Sequence, residues 1–340
     1  MAPIPRIGID AMGGDFGPQP VAEGAALALR EWPGRFQLTL VGDEHQIRSE
    51  LDRVHVSRDA VEIVHASGTV DMDAKAVASA RRTDTSLGVL TQLHKERKVD
   101  AIFSAGNTGA VMTTALLGLG RMKGVSRPAL AAVFPSVGGH TVVLDVGANA
   151  EVKASYLVQF AHMGAVYARY LLGVKTPRVG LLSIGEEENK GNLLVQEAFP
   201  LLKQAQHLNF IGNVEGRDIF KDTVDVVVTD GFTGNVVLKT AESAERFMRE
   251  SLKKHVLRDP LAMLGSFLMR PAMQRLKAQL DWEEQGAAPL LGVNGVCFIG
   301  HGSSRSRAFR SAIGTMSTFV EQNVNQHILE ELSADHVTAA

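Results

Sequence analysis

The stretch that decides the fold is Leu181-Leu182-Ser183-Ile184-Gly185-Glu186-Glu187-Glu188-Asn189-Lys190-Gly191-Asn192. Its first residues close an apolar, β-branched run that begins at Arg178 and reads as a buried strand. Gly185 breaks the run, a polar segment follows to Gly191, and from 193 to 206 the apolar spacing turns helical. A strand that ends in a glycine-bounded polar loop and feeds a helix is the ligand-binding corner of an α/β sheet. Lys190 stands in that loop beside the N–H groups of a helix start, and the pair suits an anion.

Working outward, other segments end the same way. Residues 6–10 (RIGID) form a strand that runs into 11–18 (AMGGDFGP), and a helix follows over 21–31. Strands at 36–41 and 61–65 come next, then helices over 74–82 and 87–96. The strand 100–104 ends in 105–109 (AGNTG) and feeds a helix to about 119. Strands 129–134 and 141–145 flank a hairpin turn, and the second ends in 147–151 (GANAE) before a helix over 156–172. Strands at 210–212 and 224–229 follow, the latter closing in 230–235 (DGFTGN) ahead of a helix over 236–256. A last strand at 295–299 leads to His301-Gly302-Ser303-Ser304, which opens the C-terminal helix, and the tail after 331 frays.

This alternation predicts a three-layer α/β/α unit with a mainly parallel, mixed sheet and helices on both faces. Residues 1–340 read as one catalytic unit with no linker. A parallel sheet is expected to carry its strand ends along one edge. SAGNTG (104–109) and DGFTGN (230–235) look alike, but two short loops do not establish a duplication.

Composition narrows the class. With 340 residues the chain can bury a large core, and 45% hydrophobic content with 35 basic and 37 acidic residues describes a soluble globular protein rather than a nucleic-acid binder. One cysteine, Cys297, excludes an internal disulfide framework and fits a reducing cytosol. The first residues lack the apolar core of a secretory signal, and no apolar run is long enough to span a bilayer. The expected location is cytoplasmic, peripheral to the inner face of the cell membrane.

The loops carry the chemistry. Glycines permit close backbone approach, so the N–H groups of Gly13, Gly14, Gly106, Thr108, Gly109, Gly185 and Gly234 are candidates to face a ligand. Asn107, Asn149 and Asn235 add amides, and Asp10 and Asp230 orient their neighbours. The plain alternative for each loop is a strand-to-helix turn; their recurrence favours a site. None is a P-loop or a clean G-x-G-x-x-G fingerprint, so no nucleotide cofactor is expected. Asp10, Asp15, Asp145, Glu151 and Asp230 suit Mg²⁺ by residue type, but they lack ligand spacing and read better as helix caps, so no metal is expected. His301 reads equally as a general acid or as a structural histidine. Cys297 lies in a strand pattern and reads as a small buried hydrophobe, not a nucleophile.

Between Lys253 and Lys277 six Lys/Arg face one Asp, interleaved with apolar residues including Leu261, Leu264, Phe267 and Leu268. Pro260 and Pro271 divide the run, which predicts a protruding helical hairpin over 241–285. Its tip reads as a membrane contact, with a dimer interface or core hairpin as the alternative.

Taken together, 10–18, 104–110, 145–149, 157–161 (LVQFA), 185–191 (GEEENKG), 230–235 and His301-Gly302 resemble the PlsX family of acyl-[acyl carrier protein]:phosphate acyltransferases. The resemblance spans nearly the whole chain. It implies a fold like isopropylmalate dehydrogenases and phosphate acetyltransferases, and a homodimer. It also implies transfer of a long-chain fatty acyl group from acyl carrier protein to inorganic phosphate. The acyl phosphate would then feed a membrane glycerol-3-phosphate acyltransferase. Here 151–154 (EVKA) keeps only the acid and Lys of the family pattern.

On this reading Lys190 and the amides of 106–109 and 234–235 hold phosphate, and Asn235 or His301 donates to the thioester oxygen. Arg81 and Arg82, with basic residues of the hairpin, meet the acidic carrier. The competing readings are a phosphate acetyltransferase-like enzyme using short acyl-coenzyme A, a dehydrogenase of the same fold, and a non-enzymatic membrane-peripheral scaffold.

Overall fold

The structure, a computed structural model, describes residues 3–256, 260–280 and 287–334. Its strands are β1 (Arg6–Asp10), β2 (Gln37–Gly42), β3 (Val61–His65), β4 (Ala101–Ser104), β5 (Ala129–Ser136), β6 (Gly139–Leu144), β7 (Arg178–Leu182), β8 (Asn209–Val214), β9 (Val226–Val228), β10 (Ala288–Leu291) and β11 (Cys297–Ile299). The helices are α1 (Pro18–Glu31), α2 (Glu44–Arg53), α3 (Ala76–Ser79), α4 (Ser86–Lys95), α5 (Thr108–Leu119), α6 (Ala154–Leu171), α7 (Leu193–Gln204), α8 (Gly231–Val256), α9 (Pro260–Leu268), α10 (Arg270–Leu280), α11 (Ser306–Glu321) and α12 (Val324–Ala334). Residues 281–285, the end of the expected hairpin, lie outside the described residues.

All the strands form one sheet in the order β3-β2-β1-β4-β11-β10-β5-β6-β9-β7-β8. One face packs on α1, α6, α7, α11 and α12 through residues such as Val21, Phe160, Ala198, Phe309 and Ile328. The other packs on α4, α5 and α8 through Leu90, Val111 and Val237. Covered on both sides, β4, β7 and β9 are apolar along nearly their whole length, as parallel strands of a three-layer fold must be.

The shared edge expected for all the glycine loops is not what the sheet builds. β1, β4 and β11 are mutually parallel, but β10 is antiparallel to both β11 and β5, and β5 is antiparallel to β6. Strands β6, β9 and β7 are parallel to one another and so run opposite to β1 and β4. Loops after β1, β4 and β11 therefore leave one edge, and loops after β6, β7 and β9 leave the other. From β4 to β9 there are five steps across the sheet, roughly 24 Å at ~4.8 Å a step.

The reversal has a simple origin: the two halves are built alike. The strand order β2-β1-β4 recurs as β8-β7-β9, running the opposite way. Arg6 at the start of β1 bonds Asp100 through its backbone N–H, at 2.9 Å, and its guanidinium, and Arg178 at the start of β7 does the same to Asp225, at 2.7 Å. Gly8 and Gly180, each two residues on, are where a Cβ would collide with Leu90 and Val214 and press on Val99 and Val224, the residues before those aspartates, at 3.3 and 3.2 Å. The stretches 99–109 and 224–234 share V-D-x₅-G-x-T-G. The likeness of SAGNTG and DGFTGN thus goes with two halves of like strand order that run in opposite directions.

Candidate functional site

At the first edge the polar groups are bound to one another. Asp10, at the end of β1, is 3% exposed; its carboxylate accepts from the Met12 and Gly13 N–H groups and, at 2.7 Å, from the Ser104 hydroxyl. Burial pushes this carboxyl above the usual range, against the pull of hydrogen bonds from the Ser86 and Ser104 hydroxyls. Ser104 Oγ in turn accepts the Gly106 N–H, so Ser104 ties two loops together. Gly13 sits in that knot, where a Cβ would lie 2.8 Å from Asp10 and 2.9 Å from Gly106 N. Gly14, at φ +96°, packs against the Gly302 carbonyl. Asn107 caps α5 by accepting the Ala110 N–H and also donates to the Met72 carbonyl, so its amide is used at both ends. Thr108 and Gly109 form the first helical turn rather than a free loop. His301 is exposed, with its Nδ1 2.7 Å from the Ser303 hydroxyl.

The second edge gathers Asn149, Gly185, Lys190, Asp230, Gly234 and Asn235 on the neighbouring strands β6, β9 and β7. Asp145, fully buried, closes the loop after β6: it accepts the N–H groups of Leu130, Gly147, Ala148 and Asn149 and the Asn149 amide. Burial raises its carboxyl despite those bonds. Asn149 also donates to the Pro128 carbonyl, and its own carbonyl accepts the Gly231 N–H at 2.8 Å, which joins the β6 and β9 loops. Residues 231–235, expected as loop, are the first turn of α8, and Asp230 is its cap, accepting both the N–H and the hydroxyl of Thr233 at 2.8 Å. Only glycine fits at 234, where a Cβ would overlap the Asp145 carbonyl oxygen. Asn235 is exposed beside Gly147, and its amide makes no hydrogen bond among the described residues.

The loop after β7 brings in the cation. Lys190 donates its backbone N–H to the Glu187 carbonyl at 3.0 Å, and its stem folds across Gly185. Of the loop carboxylates, Glu188 pairs with Lys203 at 2.7 Å and Glu186 with Arg217 at 3.6 Å. The exposed Lys190 ammonium has no carboxylate partner among the described residues. The Lys190 ammonium and the Asn235 amide, each without a partner among the described residues, thus share one edge with the start of the 26-residue helix α8, which Asp230 caps. From Asn235 an open face of α8 runs past Val236, Thr240 and Ala244 to Phe247.

The expected phosphate ligands therefore divide. Lys190 and Gly234-Asn235 stand at one edge and 106–109 at the other, too far apart across the sheet to hold one ion. Cys297, read as a buried hydrophobe, is buried with its thiol pushed up to about 12, and the hydroxyl of Ser104, the serine nearest a glycine loop of the first edge, donates to Asp10. Among the described residues no three His, Cys, Asp or Glu are grouped to hold a metal ion. Arg82 is paired with Asp84 at 2.8 Å, while Arg81 is exposed. Asn213 and Arg217, which hold the Lys190 loop from β8 and the turn after it, carried no glycine-loop signature and were not legible as site residues.

The architecture is that of the phosphotransacetylases. A phosphotransacetylase from Streptococcus pyogenes superposes with a TM-score of 0.61 at 16% identity, covering 93% of this chain and 94% of that one. The EutD phosphotransacetylase from Staphylococcus aureus gives 0.59 at 15% identity, covering 94% of each. Sequence similarity is narrower in scope and stronger. The phosphate acyltransferase of Thermus thermophilus is 49% identical over 332 residues, 98% of this chain and 100% of that protein. That of Pelotomaculum thermopropionicum is 45% identical over 336 residues, 98% and 97% of the two chains. Residues 5–327 match the family described as fatty acid synthesis protein, and the chain belongs to it.

Proposed function

We propose that the protein is a phosphate acyltransferase that moves a long-chain acyl group from acyl carrier protein to inorganic phosphate, with phosphate held at the Lys190 edge. The observation that carries this is the exposed Lys190 ammonium, without a carboxylate partner among the described residues although Glu186 and Glu188 of the same loop are paired, at the sheet edge from which α8 starts. Phosphate dianion is a nucleophile near neutral pH, and a thiolate of pKa roughly 8.5 leaves readily. The chemistry therefore needs placement and charge stabilisation rather than a covalent relay. Lys190 holds the dianion against the thioester carbon together with the Phe232 N–H, since the Gly231, Thr233 and Gly234 N–H groups of the first α8 turn are given to Asn149 and Asp230. The Asn235 amide donates to the thioester oxygen as it gains charge. His301, at the other edge, is given no part in that step.

We assign the open face of α8 to a long acyl chain rather than to acetyl. Asn235 to Phe247 spans about 18 Å of helix at 1.5 Å per residue, far more than an acetyl group needs. Leu261, Phe267 and Leu268 of α9 are 78%, 68% and 73% exposed, and we assign this tip to the membrane surface, where the product is consumed by a membrane glycerol-3-phosphate acyltransferase. The side chain of Leu264 lies outside the described residues. Among the described residues no helix is long and apolar enough to cross a membrane. The exposed Phe247, Met248 and Leu252 of α8 suit a second copy of the chain in a homodimer.

Incubation with long-chain acyl-[acyl carrier protein] and labelled phosphate should yield labelled acyl phosphate. Product from acetyl-coenzyme A alone would favour the short-chain alternative, and no product from either would leave the scaffold reading.

A further inference from the structure

Asn213 lies on β8, outside the loops considered so far. It is 5% exposed, and its amide donates at 2.8 Å to the Glu187 carbonyl, the same oxygen that accepts the Lys190 N–H. Its own carbonyl oxygen is buried with no partner, as is the nearby Ser183 hydroxyl on the strand end that feeds the loop. A half-satisfied buried amide is costly, and apolar residues fill such a strand position more cheaply. The other half of the molecule does so. Asn213 pairs with Leu181 on β7, and the residue in the corresponding place, paired with Ile9 on β1, is the fully buried Leu40. The loop after β1 carries no lysine. The amide is present in the half that presents Lys190 and absent from the half that does not.

We infer that Asn213 is a positioning residue: it fixes the Glu187 carbonyl and through it the turn that aims Lys190 at phosphate. This rests on the phosphate-binding reading of Lys190. Phosphate does not touch Asn213, so the residue acts only through the loop. Removing its donor frees the turn and blurs the ammonium's position while leaving the acyl-carrier contacts in place.

The test is a double-mutant cycle in the full-length protein, reading initial rates against inorganic phosphate and against long-chain acyl-[acyl carrier protein]. Asn213→Leu copies the other half and is expected to fold; Asn213→Ala is the second variant should it not. Either should raise the phosphate KM about tenfold, with the KM for the acyl carrier substrate changed less than twofold. In a Lys190→Ala background the same substitution should add nothing, because the loop no longer has a cation to aim. An unchanged phosphate KM overturns the inference, and so does an equal rise in the Lys190→Ala background, which would mark Asn213 as merely structural. If Lys190→Ala alone leaves phosphate dependence unchanged, the reading of the site fails and takes this inference with it. If Lys190→Ala acts and Asn213→Leu does not, only the inference falls.

Discussion

Asn107 and Asn235 look interchangeable in the sequence, each beside a Gly-Thr or Thr-Gly pair, yet they do different work. In the aligned repeats Asn107 matches Phe232, not Asn235, because α8 is capped from Asp230 and begins earlier in the repeat than α5 does. Asn107→Ala should cost about 1 kcal/mol of stability through the lost cap, read as a lower Tm, with phosphate dependence unchanged. Asn235→Ala should leave Tm within error and lower kcat by tenfold or more, the worth of one donor to a developing oxyanion. The reverse pattern would move the site to the other edge. Cys297→Ala should keep substantial activity. Ser104→Ala should lower Tm, since it removes a hydrogen bond to a buried carboxylate, but should still turn over. Complete loss of turnover in a folded Ser104→Ala protein would point to an acyl-enzyme. Lys190 was legible because a lysine inside a strand-end loop is a local pattern; the engagement of Asn107 with Met72 joins residues far apart in the chain and was not.

Among the elements, β10 shows itself least in the sequence. Its four residues, Ala288-Pro289-Leu290-Leu291, include a proline, which argues against a central strand when read in sequence. In the fold it lies antiparallel between β11 and β5, which leaves those two strands running the same way, and it is the β5–β6 hairpin that turns the rest of the sheet over. Helix α2 was also silent, since Ile47 and Leu51 are its only buried residues and its surface is charged. Helices α9 and α10 were legible from the prolines at 260 and 271 and from their apolar, basic composition. For α9 the expectation is that Phe267→Glu with Leu268→Glu abolishes sedimentation with anionic vesicles while soluble activity and dimerisation persist. Loss of the dimer or of the fold would instead make that face an interface or part of the core.

At the scale of the whole molecule, the two Arg–Asp braces hold the halves' parallel strands in register. Burial alone raises Asp100 and Asp225, but hydrogen bonds from Arg6 and Arg178 outweigh it and keep both carboxyls below the usual range. A depressed carboxyl stabilises the fold above the unfolded value near 3.8 and loses that contribution as pH falls through the folded one. Asp10 and Asp145 carry the opposite sign, since their raised carboxyls weigh against the fold as pH rises above that range. Asp100→Asn and Asp225→Asn should therefore lower Tm at neutral pH and flatten its fall below about pH 4; acid limbs parallel to the wild type would remove the braces from this role. The likeness of the two halves explains why one chain offers two similar edges; the loop after β7 carries Lys190, and the loop after β1 carries no lysine. The measurement that tests this most directly is carrier-thiol release from long-chain acyl-[acyl carrier protein] as phosphate is varied, for the wild type and Lys190→Ala. Release should require phosphate, follow sequential kinetics, and shift its phosphate dependence at least tenfold in the variant. Thiol released at the full rate without phosphate, or superimposable phosphate curves for the two proteins, would contradict it.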